Sequence, residues 1–386
     1  MIESLNQWQF YNPVKLYAGR GSRKQLVEQL KNQKLLIVTT VRGKAQFLED
    51  SILSEVVKNN QVTWVDSVKE NPGLTDLQAE IDQLSNLKVD AIIAFGGGSA
   101  MDAAKALRIG LAVQGKYSLA ELLENPALHK EAKQVPLYAL PTTSGTGSEV
   151  TPFATVWHHE IHKKLSLASD NIFPSVAIVD AELTDSLPTK VTLSTGLDAI
   201  NQAAESVWNK NANSITLALA TRSLKLGLKA LPLLIEGKGS EQERDQMAEA
   251  SLLAGLAISH TRTALCHSIS YPLTAHFGVP HGLACALTMP EVCQINLAVD
   301  DGRFVALAQA LTGQSDVGLL FNVFLELNNQ LNVAEQVHAY IPKLDDLINL
   351  QSEMYNPSRA ANNLAAITDS DLRRILKKSF DISNKD

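Results

Sequence analysis

Cysteine is scarce in this sequence. There are three, Cys266, Cys285 and Cys293, among 386 residues, all late in the chain. An odd number so placed builds no disulfide framework, and the four thiolates of a closed structural zinc site are missing. Net positive charge is also lacking: 34 Lys and Arg stand against 41 Asp and Glu, a formal charge of −7, with no basic patch. That argues against nucleic-acid binding, which needs clustered phosphate-neutralising side chains. No uncharged apolar run is long enough to span a bilayer, so no membrane partner is expected. Residues 1–8 have no basic stretch leading into an apolar core, which makes the cytoplasm the expected location. Internal repeats and low-complexity segments are absent. What is left, 45% hydrophobic and 19% charged residues, is the composition of an ordinary globular protein. The length suits about two or three domains, each able to bury a core.

The first half alternates strand and helix signals. Residues 8–18 mix aromatic and β-branched residues around Asn12-Pro13 and read as a strand or hairpin; exposed, it would suit a homodimer. Residues 34–40, 62–65, 89–95 and 136–140 are short apolar runs that read as buried parallel strands. Residues 153–157 and 175–179 read as further strands, and residues 158–164 as a hairpin tip whose histidines sit in a solvated loop. Beyond Asp180 alternation stops. Residues 215–234, 241–257, 301–311, 317–331 and 369–378 carry only helical patterns, which sets an α/β part, residues 1–186, against an all-helical part, residues 187–386.

Two strand ends carry chemistry. Gly96-Gly97-Gly98-Ser99 separates the run 89–95 from a helical stretch, a place where backbone N–H groups can approach a pyrophosphate at a positive helix end. The spacing is neither the dinucleotide fingerprint nor the P-loop, and a tight strand-to-helix turn is the simpler alternative. The next strand ends in Thr142, Thr143, Ser144, Gly145, Thr146, Gly147 and Ser148, so a second loop of small hydroxyl and glycine residues can face the same crevice.

The helical part holds His267 and, fourteen positions on after a Gly-Val-Pro bend, His281. Asp198 lies in a Pro-free helical run, with Gln202 four positions later on the same face; His267 and Tyr271 stand in the same relation. Imidazole and carboxylate converging on one point would suit divalent Fe, Zn, Ni or Mn. Taken singly, His267 reads as a core histidine and His281 as a turn residue. Cys266 reads as an inert buried thiol.

Together, Gly96-Gly97-Gly98-Ser99 with Asp102 and Lys105, the segment from Pro141-Thr142-Thr143 to Ser148-Glu149, Gly196-Leu197-Asp198-Ala199 and Pro280-His281-Gly282 resemble the iron-containing alcohol dehydrogenase family. The resemblance runs from about residue 11 to 296. It implies a dehydroquinate-synthase-like fold of an α/β dinucleotide-binding domain and an all-α domain for metal and substrate. It also implies a bound NAD or NADP and a divalent metal, Fe2+ or Zn2+, on Asp198, His267 and His281. Two positions depart from the family pattern: Gln202 stands where a fourth ligand is usually histidine, and Tyr271 where a further active-site histidine is usual. A Gln carbonyl oxygen is a weaker ligand than imidazole, and Tyr271 or His276 would serve a proton relay.

These departures resemble one branch of the family, the reductases of phosphonoacetaldehyde, whose product is 2-hydroxyethylphosphonate. Arg262, about one turn before His267 where the family generally has a small residue, would hold the phosphonate; an internal salt bridge is the alternative. By the same resemblance Asn71 and Lys164 contact the cofactor, as do Gly97, Gly98, Ser99, Asp102, Thr142, Thr143, Thr146 and Ser148. Thr40 occupies the position where NAD-preferring members carry an acidic residue, which points to NADPH. The competing readings are a reductase of another small or sugar-acid aldehyde, a dehydroquinate-synthase-type lyase, and a metal-free binding protein.

Overall fold

The computed structural model describes residues 7–113, 115–132, 134–161 and 163–381. Two compact units divide the chain. Asn12–Ser186 forms one; Leu187–Asp386 forms the other and takes in the chain up to Tyr11.

In the α/β unit β1 (Lys15–Ala18), β2 (Lys34–Val38), β3 (Gln61–Val65), β4 (Ala91–Gly96), β5 (Leu137–Pro141) and β8 (Val176–Val179) form one six-stranded sheet, ordered β1-β8-β5-β4-β2-β3. Every pairing in it is parallel. The apolar runs are continuous because both faces are covered. Leu35, Ile37, Ile93 and Phe95 pack with Leu26, Phe47 and Leu53 on one side. Leu36, Val38, Ile92 and Ala94 pack with Leu77, Ile81 and Leu107 on the other. Each such side chain contributes about 1.5–3 kcal/mol on burial.

Two stretches differ from expectation. Residues 8–14 carry no strand: the Asn12 side chain accepts from the Val14 N–H and donates to the Val150 carbonyl, a local turn that competes with pairing. A separate antiparallel hairpin joins β6 (Phe153–His158) to β7 (Lys163–Ala168), so the tip is shorter than residues 158–164 and its return strand is additional. His162 lies outside the described residues.

In the helical unit Thr189–Val207, Ser214–Ile235, Glu241–Thr261, Leu265–Phe277 and His281–Leu297 surround a core that includes Leu197, Ile200, Leu224, Leu231, Ile269, Val292 and Phe324. Asn213 and Ser240 start two of these helices with reciprocal capping boxes. Gly278, at φ 68°, ends Leu265–Phe277, and Pro280 precedes the next helix. Gly282 is fixed by contact rather than by φ. A methyl group there would overlap the Ser194 carbonyl, so only glycine lets the start of His281–Leu297 lie against Thr189–Val207.

Candidate functional site

Helix Thr189–Val207 presents Asp198, Gln202 and Glu205 at helical intervals, all buried. His267, on Leu265–Phe277, is gripped from two sides. Its Nδ1 lies 2.8 Å from Glu205 Oε2, and its Nε2 lies 3.2 Å from Asp198 Oδ1. The Glu205 carboxylate also accepts the backbone N–H groups of Ala264, at 2.6 Å, and His267, at 3.1 Å. It therefore fixes the helix start together with the imidazole. His281 Nε2 is 3.9 Å from the same Asp198 oxygen. Cys285, one turn beyond His281, completes a group in which one donor atom from each of Asp198, His267, His281 and Cys285 lies within 4.8 Å of the others.

Electron pairs crowd this pocket. Burial pushes Glu205 up, but the facing imidazole and the backbone donors outweigh it and hold the carboxyl below its usual range. Burial pushes His267 down, yet Cys285, Glu205 and Asp198 together hold it well above the ordinary imidazole value. For Cys285 burial acts upward, and the two imidazoles bring the thiol down to about 6. Gln202 Oε1, one turn from Asp198, is buried without a hydrogen-bond partner. Two imidazoles, a carboxylate, a thiol and an orphaned carbonyl oxygen fit a divalent cation. Cys266 is different: it is fully buried and its thiol is pushed well above the usual value, first by burial.

Beside the cluster, the Tyr271 ring stacks on His281 with centroids 6.1 Å apart and planes at 14°. Its hydroxyl accepts from Arg359 Nε at 3.2 Å. Arg262 caps Glu241–Thr261 at φ 61°, ψ 176°, a region that glycine occupies and other residues seldom do. Arg262 is exposed, and partial burial of its side chain, then the neighbouring Arg359 guanidinium, pulls it below its ordinary value. His276 is committed elsewhere, to Glu353 at 2.8 Å. Glu205, Cys285 and Arg359 escaped the sequence reading. Glu205 stands two turns from Asp198 and Cys285 one turn from His281, signals that helical spacing carries; Arg359, 88 positions from Tyr271, had none.

The α/β unit brings its own group of loops together. At the carboxyl end of β4 Gly96 adopts φ 148°, and helix Gly98–Ala112 starts at once. The loop after β5 is tied to it by the Thr142 N–H to the Gly96 carbonyl at 2.9 Å. Thr143 and Thr146 lie so near Gly97 and Gly98 that side chains there would press on them. Asn71 joins this group, its N–H directed at Ser99 Oγ, 3.3 Å away. The Asp102 carboxylate accepts from Ser148 Oγ and the Thr155 N–H, each at 2.8 Å, so Asp102 and Ser148 brace the loop from within. Lys105, nearly fully buried and lowered to about 8 by burial, donates to Ser148 Oγ and the Thr151 and Phe153 carbonyls. Thr40, two residues past β2, caps the following helix, its hydroxyl accepting from the Gly43 N–H at 2.9 Å. Lys164 lies in β7, its ammonium 6.0 Å from the Trp157 ring centroid. β2 and β4 are neighbours at which the strand order reverses, the place where open parallel sheets take ligands.

Residues 13–181 match the iron-containing alcohol dehydrogenase family, and residues 192–380 match its C-terminal part; the chain belongs to this family. Its parallel-sheet domain and helical domain make the dehydroquinate-synthase-like fold. It is similar to the probable alcohol dehydrogenase EutG of Escherichia coli (strain K12), 36% identical over 69% of this chain and 67% of that one. It is also similar to a sulfoacetaldehyde reductase of Bilophila wadsworthia, 30% identical over 92% of this chain and 94% of that one. A crystal structure of sulfoacetaldehyde reductase from Bifidobacterium kashiwanohense in complex with NAD+ superposes with a TM-score of 0.83 at 30% identity, covering 97% and 99% of the two chains. The protein is an NAD(P)-dependent, metal-containing alcohol dehydrogenase acting on a small alcohol or aldehyde.

Proposed function

We propose that the enzyme reduces a short aldehyde bearing an anionic group, with phosphonoacetaldehyde as substrate and 2-hydroxyethylphosphonate as product. The observation that carries this reading is Arg262, held in a backbone conformation suited to glycine and close enough to a second guanidinium, Arg359, to feel its charge. Strain of about 1–3 kcal/mol persists where a side chain is needed in one place. Arg359 also reaches the hydroxyl of Tyr271, whose ring covers His281, so the cationic pair borders the donor cluster. Two guanidiniums match a dianionic phosphonate better than a monoanion, by paired charge-assisted hydrogen bonds.

A divalent ion, when bound, polarises the carbonyl, and the dinucleotide supplies the hydride. Asp198, His267 and His281 would hold the ion, and Glu205, paired with His267 Nδ1, would keep a proton there so that Nε2 gives up its own to the incoming cation and offers it a lone pair. Arg262 and Arg359 hold the anionic end. Tyr271 accepts from Arg359, and the guanidinium beside its oxygen would stabilise a phenolate, which suits Tyr271 to pass a proton to the product alcohol. The loops at Gly97, Gly98, Ser99, Thr142, Thr143 and Thr146 receive the pyrophosphate, with Asn71 and Lys164 as further contacts, and Thr40, which brings no negative charge, favours NADPH.

Sulfoacetaldehyde is the second reading, favoured by the relatives of that name. Cofactor oxidation by protein loaded with Zn2+ or Fe2+, compared across phosphonoacetaldehyde, sulfoacetaldehyde and acetaldehyde, tests the proposal. The expected order of kcat/KM is phosphonate, then sulfonate, then acetaldehyde. Acetaldehyde turned over as efficiently as the charged aldehydes would refute the anionic assignment, and the order of those two decides between phosphonate and sulfonate.

A further inference from the structure

We propose that Cys285 is a ligand of the ion, so that this chain carries a sulfur-bearing zinc site. The inference rests on Asp198, His267 and His281 being metal ligands, and it replaces Gln202 by the thiol as the fourth donor. Cys285 is completely buried, with Sγ 3.9 Å from Nε2 and 4.0 Å from Nδ1 of His281. With zinc bonds of about 2.0–2.3 Å, tetrahedral donors stand roughly 3.3–3.6 Å apart. His267 Nε2 and Asp198 Oδ1 are already 3.2 Å apart and all four donors lie within 4.8 Å, so shifts on the order of 1 Å close the set. Position singles this thiol out. Cys266 and Cys293 are buried as completely, yet neither belongs to the donor group.

A thiolate among two imidazoles and a carboxylate is a softer set than nitrogen and oxygen alone, and it suits Zn2+ better than Fe2+. Zinc accepts a fifth ligand, which leaves a position for substrate. Gln202, with its unpartnered carbonyl oxygen, then lies at the border of the site.

Zinc and cobalt bound to the full-length protein provide the test. In Zn2+-loaded protein X-ray absorption should find one sulfur at about 2.3 Å. Co2+-loaded protein should show a sulfur-to-cobalt charge-transfer band in the near ultraviolet. Cys285→Ala should lose the band and keep the weaker cobalt bands of the remaining ligands; Cys266→Ala and Gln202→Ala should keep it. Stoichiometric metal bound with only nitrogen and oxygen neighbours would overturn the sulfur assignment and leave the other three ligands standing. Failure of the wild type to take up either metal would overturn both. The absorption measurement on wild type needs no variant, so a Cys285→Ala protein that fails to fold does not shield the proposal.

Discussion

Glu205 and His267 meet through Oε2 and Nδ1 at 2.8 Å, and the same carboxylate accepts the His267 backbone N–H at 3.1 Å. Ring and backbone of one residue are thus held by a single side chain. Glu205→Gln keeps the shape and removes the charge that makes Nε2 a strong donor. Zinc affinity measured by chelator competition should fall about 10–100-fold. Equal affinity in the variant would mean that the carboxylate only packs.

Two buried carboxyls should pull stability in opposite pH directions. Glu205 sits below its ordinary 4.5, so its folded form binds the proton less tightly than the unfolded chain does; its stabilisation is present above 4.5 and is lost as pH falls through the folded value. Glu149 is pushed up by burial to about 7, against its own backbone and Lys105. Its folded form binds the proton more tightly, so its contribution is full below 4.5 and is lost as pH rises to about 7. Melting of metal-free protein should show Glu149→Gln gaining on wild type between about pH 5 and about pH 8. A gap that does not change with pH would show that Glu149 does not titrate there.

Close packing at Gly282 makes its substitution costly. The overlap is with the Ser194 backbone, which cannot rotate away as a side chain would. Gly282→Ala should lower stability by about 1–3 kcal/mol in denaturant titration. Because Gly282 follows His281, zinc binding should weaken with it; a variant as stable as wild type would mean that the two helices are free to separate.

The core strands were legible because β2, β4 and β5 are covered on both faces and read as unbroken apolar runs. β7 was not: with Leu167 its one fully buried residue, its alternation is too short to stand out beside a histidine-rich tip. Residues 8–14 have strand-forming composition, but the Asn12 side chain closes a turn first. At the site, pattern and resemblance single out His267, His281 and Asp198, which the structure brings together, whereas an odd cysteine count carries no sign that Cys285 shares their helix face. Arg359 could not be read, since only tertiary packing carries it to Tyr271.

Arg262 should separate stability from specificity. Arg262→Gly removes both the guanidinium and the strain at φ 61°, ψ 176°. Stability should rise by about 1–3 kcal/mol. KM for phosphonoacetaldehyde should rise roughly 10–100-fold, the worth of a hydrogen bond to a charged group, while acetaldehyde is hardly affected. Arg262→Ala should show the loss in KM without the gain in stability. A glycine variant no more stable than wild type would remove the strain argument, and parallel KM changes for both aldehydes would remove the substrate contact.

Cofactor choice can be tested at Thr40 without disturbing the fold. The Thr40 hydroxyl caps the helix after β2, and aspartate caps a helix at least as well. Thr40→Asp should therefore melt within about 0.5 kcal/mol of wild type. The new carboxylate would stand where a 2′-phosphate approaches and a ribose hydroxyl can bind, so KM for NADPH should rise about tenfold or more while KM for NADH stays level or falls. Unchanged constants for both cofactors would put the adenosine ribose away from the end of β2 and leave the preference to other residues.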